Sequence, residues 1–127
     1  MRIYKTKGFA RFARQERIGD EALCDAISRV ERGLVDADLG GGVIKQRIPR
    51  KGQGRSGGFR TIVLYRIKDR AVFVDGFAKS SQDNIDGDDL ELFRELAADF
   101  LSYDGKQIGK LIKAGAWIEV ECDGDQP

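Results

Sequence analysis

The sequence has no histidine, two cysteines and two prolines among its 127 residues. Without histidine a transition-metal site is not expected, and proton transfer must fall to other side chains. Cys24 and Cys122 are too few for a disulfide scaffold or a zinc site. No apolar run approaches the length a membrane span needs. The opening Met-Arg-Ile-Tyr-Lys-Thr-Lys has no apolar stretch behind its charges, so no secretory signal is expected and the cytoplasm is the default. One internal stretch lacks charge of one sign altogether. Residues 41–66 contain no acid, yet carry Lys45, Arg47, Arg50, Lys51, Arg55, Arg60 and Arg66.

The formal net charge of +1 conceals a strong division. Residues 43–70 hold nine cations against one acid, Asp69, for a net +8. Residues 82–127 hold four cations against twelve acids, for a net −8. Such a chain can present a basic working face beside an acidic flank, and a basic face wants a polyanion.

Period and punctuation predict an α+β chain. Alternation over residues 2–6 predicts a first strand. Thr6 is placed to cap a helix beginning near Lys7, with Phe9 and Phe12 as core anchors. Asp20 is the expected cap of a second helix, which buries Leu23, Ala26, Ile27, Val30 and Leu34 at helical spacing, with Cys24 as a small packing residue beside them. Residues 36–42, ending in three glycines, predict a turn. From 43 to 48 the period becomes 2: Ile44 and Ile48 point one way, Lys45 and Arg47 the other. Pro49 ends that strand, and residues 50–57 form a glycine-rich loop. Residues 59–67 return as a strand, with Phe59, Thr61, Val63 and Tyr65 on one face and Arg60, Ile62, Leu64 and Arg66 on the other. A tight turn leads to an apolar strand over 70–78. Asp88 with Glu91, and Asp104 with Gln107, fit helix-start boxes. Residues 117–120 read as a final strand or a packed tail. The expected arrangement is an N-terminal helical pair on a small antiparallel sheet, followed by C-terminal helices, in one domain over 1–127.

A sheet face bearing Lys45, Arg47 and Arg60, edged by Lys79 and the loop cations, is a phosphate-binding surface. The glycine loop lacks the GxxxxGK[ST] pattern of a nucleotide-binding loop. It is followed by a strand, so it is not a dinucleotide fingerprint either. Cleavage of RNA at such a site needs a base for the ribose 2′-OH, cations for the charged phosphorane and an acid for the 5′-oxygen. A lysine crowded by other cations gives up its proton more readily, which makes Lys45 the candidate base. Arg47 or Lys79 is the candidate acid, and the guanidinium groups stabilise the transition state. Neither a metal nor a cofactor is required. Phe77 and Tyr65 are candidates for stacking a base, although each residue type more often belongs to a core.

The run Gly-Gly-Val-Ile-Lys-Gln-Arg-Ile, then Gly-x-Gly-Arg-Ser-Gly-Gly-Phe-Arg-Thr, then Phe-Val-x-Gly-Phe-Ala-Lys-Ser resembles the RelE/ParE superfamily of toxins from bacterial toxin–antitoxin modules, nearest its RelE- and HigB-like branch. The resemblance covers about residues 1–103, leaving 104–127 as an extension expected to pack on the sheet. It implies a ribosome-dependent messenger-RNA endonuclease, cytoplasmic, held inactive by a cognate antitoxin; a homodimer is left open. By position in the motif the catalytic cations fall on Lys45, Arg47, Arg60 and Lys79. Arg50, Lys51, Arg55, Arg66 and Phe77 are the expected RNA-binding residues. Where RelE has a base-stacking tyrosine near the start of its C-terminal helix, this chain has Ile85. ParE relatives share the fold and poison DNA gyrase instead, so fold alone does not fix activity.

Overall fold

The computed structural model describes residues 1–50, 54–78 and 87–122, and at 50 and 54–57 the backbone alone. The elements follow as β1 (Arg2–Thr6), α1 (Lys7–Glu16), α2 (Asp20–Glu31), β2 (Ala37–Gly40), β3 (Val43–Arg50), β4 (Gly54–Arg66), β5 (Arg70–Ala78), α3 (Gly87–Phe100), α4 (Gly105–Lys113) and β6 (Trp117–Glu119). The six strands form one sheet in the order β2-β3-β4-β5-β1-β6. Four of its pairings are antiparallel; β1 and β5 run parallel. A strand therefore opens the chain ahead of the helical pair and lies inside the sheet, not at its margin.

Interior position explains the composition of β1. Ile3 and Tyr4 are both buried, one on each face. The first face is covered by α1 and α2. Phe9, Ala13, Leu23, Ile27 and Val30 pack there against Ile44, Ile48, Phe59, Val63 and Phe73. Thr6 caps α1 as expected, its hydroxyl accepting from the Phe9 N–H at 3.2 Å. The cap of α2 is Gly19, not Asp20. The Asp20 carboxylate serves longer-range partners instead, accepting from Lys5 Nζ at 2.8 Å and from the Glu121 N–H at 3.0 Å. Leu34 lies beyond the end of α2 and is exposed, so it is no part of the buried stripe.

The second face is covered over part of its area by α3 and α4. Ala97 and Ile108 join Tyr4, Val43, Ile62, Leu64, Val72, Phe77 and Trp117 in a second apolar cluster. Phe100, Tyr103, Tyr4 and Trp117 interlock at centroid distances of 5.0–5.9 Å. Asp104 and Gln107 form the expected reciprocal cap of α4. The extension thus packs onto the sheet, with β6 pairing to β1.

Four boundaries differ from the sequence expectation; one is the start of β4 at Gly54, inside the segment 50–57 expected as a loop. The segment read as a turn at 36–42 contains a short edge strand, β2, before the glycines. Gly40, Gly41 and Gly42 all have positive φ, which turns the chain tightly into β3 beneath Arg94 of α3 and Leu101 just past its end. β3 continues through Pro49 to Arg50, with a register shift between Ile48 and Arg50 that absorbs the missing N–H. α3 begins at Gly87, so Asp88 lies in its first turn rather than capping it. Cys24 packs beside the first cluster as expected and is also bonded to Cys122, a pairing across 98 residues that the sequence reading did not draw.

Candidate functional site

The site is built on a buried amide. Gln46 is fully buried in β3, and its Nε2 donates to the carbonyls of Ala26 (3.4 Å) and Leu34 (3.1 Å). Its Oε1 accepts from the Asp36 N–H at 3.0 Å, and its own carbonyl accepts from the Thr61 hydroxyl at 2.7 Å. These bonds pin one face of β3 to α2 and the segment after it. Because side chains alternate along a strand, Lys45 and Arg47 are thereby committed to the opposite face, and a slip of one residue would reverse them. The backbone of Arg47 is held in turn: its N–H donates to Asp36 at 2.6 Å and its carbonyl accepts from Arg29 at 2.6 Å.

Across the β3–β4 ladder Arg47 is the direct partner of Arg60, and Lys45 is the partner of Ile62. Ile62 belongs to the second cluster, so all three cations share the face that α3 and α4 only partly cover. Lys45 and Arg47 stand about 6.5–7 Å apart along the strand. Neither Arg47 nor Arg60 has an ion pair among the described residues. Arg47 Nε and Arg60 Nη1 are buried and find no hydrogen-bond partner there. Buried donors left unpaired cost free energy until an acceptor arrives, and an anionic oxygen is the natural acceptor.

On β5 the partner of Arg60 is Phe77, and the partner of Ile62 is Asp75. Sequence reading passed over Asp75, although a lone acid inside the apolar run Arg-Ala-Val-Phe-Val-Asp-Gly-Phe-Ala was a visible signal. Burial raises the pKa of its carboxyl above the usual value, the Gly76 backbone N–H opposes that shift, and Asp89 of α3 adds to it.

Several expected RNA-binding residues stand differently. Phe77 is only 7% exposed and packs in the second cluster, so it offers no open ring for stacking. Tyr65 packs on the α1–α2 side, away from the cations. Arg66 shares the face of Arg60 but lies six residues along β4, about 20 Å away. It donates to the Leu101 carbonyl at 3.1 Å and pairs with Asp69 at 3.5 Å, so it secures the end of α3 rather than lining the site. Lys51, Lys79 and Ile85 lie outside the described residues, as do the side chains of Arg50 and Arg55. Among the described residues no cluster of three or more acidic or cysteine side chains is placed to hold a metal ion, and no helix is long and apolar enough to cross a membrane.

Among the described residues the arrangement is a cationic sheet face, with unsatisfied guanidinium donors and a carboxyl beside them, fit to bind an anionic oxygen. No curated relative matches the chain significantly. The family model of the RelE toxin of the RelE/RelB toxin–antitoxin system matches residues 1–120, from β1 through β6 and including the C-terminal helices. With that match over nearly its whole length, the chain belongs to the RelE toxin family.

Proposed function

We propose that this protein is a ribosome-dependent messenger-RNA endonuclease, acting in the cytoplasm and held in check by a cognate RelB-type antitoxin. The observation that carries this reading is the convergence of Lys45, Arg47 and Arg60 on one sheet face, where two buried guanidinium nitrogens lack partners among the described residues. The 2′-oxygen of a ribose attacks the adjacent phosphorus, and the 5′-oxygen leaves. The products are a 2′,3′-cyclic phosphate and a 5′-hydroxyl end. Arg47 and Arg60 neutralise the charge that gathers on the phosphorane, the largest single contribution available to such a site. Lys45 takes part in the proton transfer, and Lys79, assigned by its place in the motif, adds a further cation. This scheme requires no metal. The ribosome supplies what the cationic face does not, an ordered and exposed stretch of message.

Induced expression followed by mapping of 5′ ends on translated and untranslated messages tests the reading. New ends confined to translated messages, and lost with Arg60→Ala, are the expected result. Growth arrest with intact messages and blocked DNA supercoiling would overturn it in favour of gyrase inhibition. Salt-sensitive RNA binding without cleavage or arrest would leave only a binding module.

A further inference from the structure

In-line attack needs a proton acceptor near the 2′-oxygen and a proton donor near the 5′-oxygen, on opposite sides of phosphorus. The cationic face presents its side chains in two transverse rows across three strands. Lys45, Ile62 and Asp75 make one row, and Arg47, Arg60 and Phe77 the next. Lys45 and Asp75 therefore flank β4 on its two sides, about 9–10 Å apart at the backbone, with Arg60 between them and one pleat repeat along.

A β-bulge puts Asp75 there. Val63 pairs with Phe73 but Ile62 pairs with Asp75, so Val74 is an extra residue in β5. Without it Asp75 would fall opposite Thr61, on the side buried under α1 and α2. With it Asp75 shares the side of Ile62. Gly76 confirms the sense of the alternation: a Cβ there would meet the Phe12 ring of α1 at 2.4 Å, so Gly76 faces α1 and its neighbours face away.

The surroundings suit an acceptor. Asp75 is half-buried, and no ion pair ties it to a cation among the described residues. A carboxylate clamped by a guanidinium would be a poor base. Of the charged groups around it, β4 offers Arg60 on the diagonal and β3 offers Lys45 beyond Ile62. The first turn of α3 carries Asp88 and Asp89, of which Asp89 acts on it. On β1, Lys5 binds Asp20 of α2 on the other side of the sheet. Burial and Asp89 both favour the protonated form, which makes the ionised carboxylate a stronger base than an exposed one.

We propose that Asp75 is the general base of this cleavage and that Lys45, as an ammonium, is its general acid. The proposal rests on the nuclease reading above and reverses the part that sequence alone assigns to Lys45. As the 2′-oxygen bonds to phosphorus, its proton passes to the Asp75 carboxylate. The bond from phosphorus to the 5′-oxygen breaks, its electron pair stays on that oxygen, and the oxygen takes a proton from Lys45. Exchange with solvent then returns Asp75 to its carboxylate and Lys45 to its ammonium.

The test is single-turnover cleavage on programmed ribosomes, measured against pH, with ribosome affinity and thermal melting followed in parallel. Asp75→Asn is expected to slow cleavage roughly 10²- to 10⁴-fold and to flatten the acidic limb of the profile, with affinity changed less than about threefold. Asp75→Glu should restore part of the rate and the limb. A message carrying sulfur in place of the 5′-bridging oxygen has a leaving group that needs no proton; it should rescue Lys45→Ala and leave Asp75→Asn slow. If wild type cuts and a folded Asp75→Asn cuts equally with an unchanged profile, or if the sulfur message rescues Asp75→Asn, this assignment is overturned alone. If wild type cuts no message, the nuclease reading falls and this one with it.

Discussion

Arg47 and Arg60 oppose each other directly across the β3–β4 ladder, two like charges at a cross-strand position. Such a pair works against folding by about 0.2–1 kcal/mol. No carboxylate among the described residues relieves it. A site that awaits an anion has this character, because the bound phosphate supplies the missing charge.

Arg60→Ala is accordingly expected to leave stability unchanged or to raise it by up to about 1 kcal/mol. The same variant should lose cleavage. Urea unfolding with and without a short RNA supplies the check: RNA should shift the wild-type midpoint upward and leave that of Arg60→Ala nearly still. A large loss of stability in Arg60→Ala would mean that the guanidinium is structural.

Gln46 offers the contrary case. Gln46→Leu keeps the bulk but removes the partners of the Leu34 carbonyl and the Asp36 N–H, together with a second bond to the Ala26 carbonyl. A loss of about 1–3 kcal/mol or more is expected from the orphaned groups, read as a lower denaturant midpoint. Cleavage should fall too, since β3 then lacks the bonds that hold Lys45 and Arg47 to their side.

Asp75 makes stability depend on pH with a definite sign. Its folded-state pKa lies above the unfolded value, so between the two the native state holds more proton than the unfolded chain. Stability from this group is full below the unfolded carboxylate range, declines as pH rises through the folded pKa, and then stays level. Asp75→Asn should therefore melt higher than wild type at neutral pH, with the gain vanishing near pH 3, below the ordinary Asp value of about 3.9. A gain that persists at low pH would show that the carboxyl is not the cause.

The bond between Cys24 and Cys122 closes a separation of 98 residues. Its loss should cost roughly 2–4 kcal/mol, mainly through the freer unfolded chain. Unfolding with and without reductant measures this, and the double variant Cys24→Ser/Cys122→Ser should ignore the reductant. In a reducing cytoplasm the pair would be open much of the time, and the protein correspondingly less stable.

Much of this architecture was legible from local pattern. The switch of period at Val43 located β3, and alternation alone placed Lys45, Arg47 and Arg60 on one side. Thr6 and Asp104 announced their helices through side-chain chemistry confined to three or four residues. What escaped depends on distant partners. Asp20 looked like a cap, but Lys5 and Glu121 claim its carboxylate, and neither is its neighbour in sequence. Phe77 and Arg66 read as ligands because nothing local reveals that Phe77 is buried in the second cluster or that Arg66 is held by the Leu101 carbonyl. Asp75 was missed for a subtler reason. Its face is decided by one extra residue in the β4–β5 pairing, and an alternating pattern read along β5 alone does not show a bulge.

The position of β1 bears on how the molecule comes into being. β1 lies between β5 and β6, partners that emerge only after residue 70 and after residue 117. Contacts this remote along the chain form late. A nascent chain therefore carries an unfinished sheet until β6 has emerged, and one cut short before residue 117 never completes it.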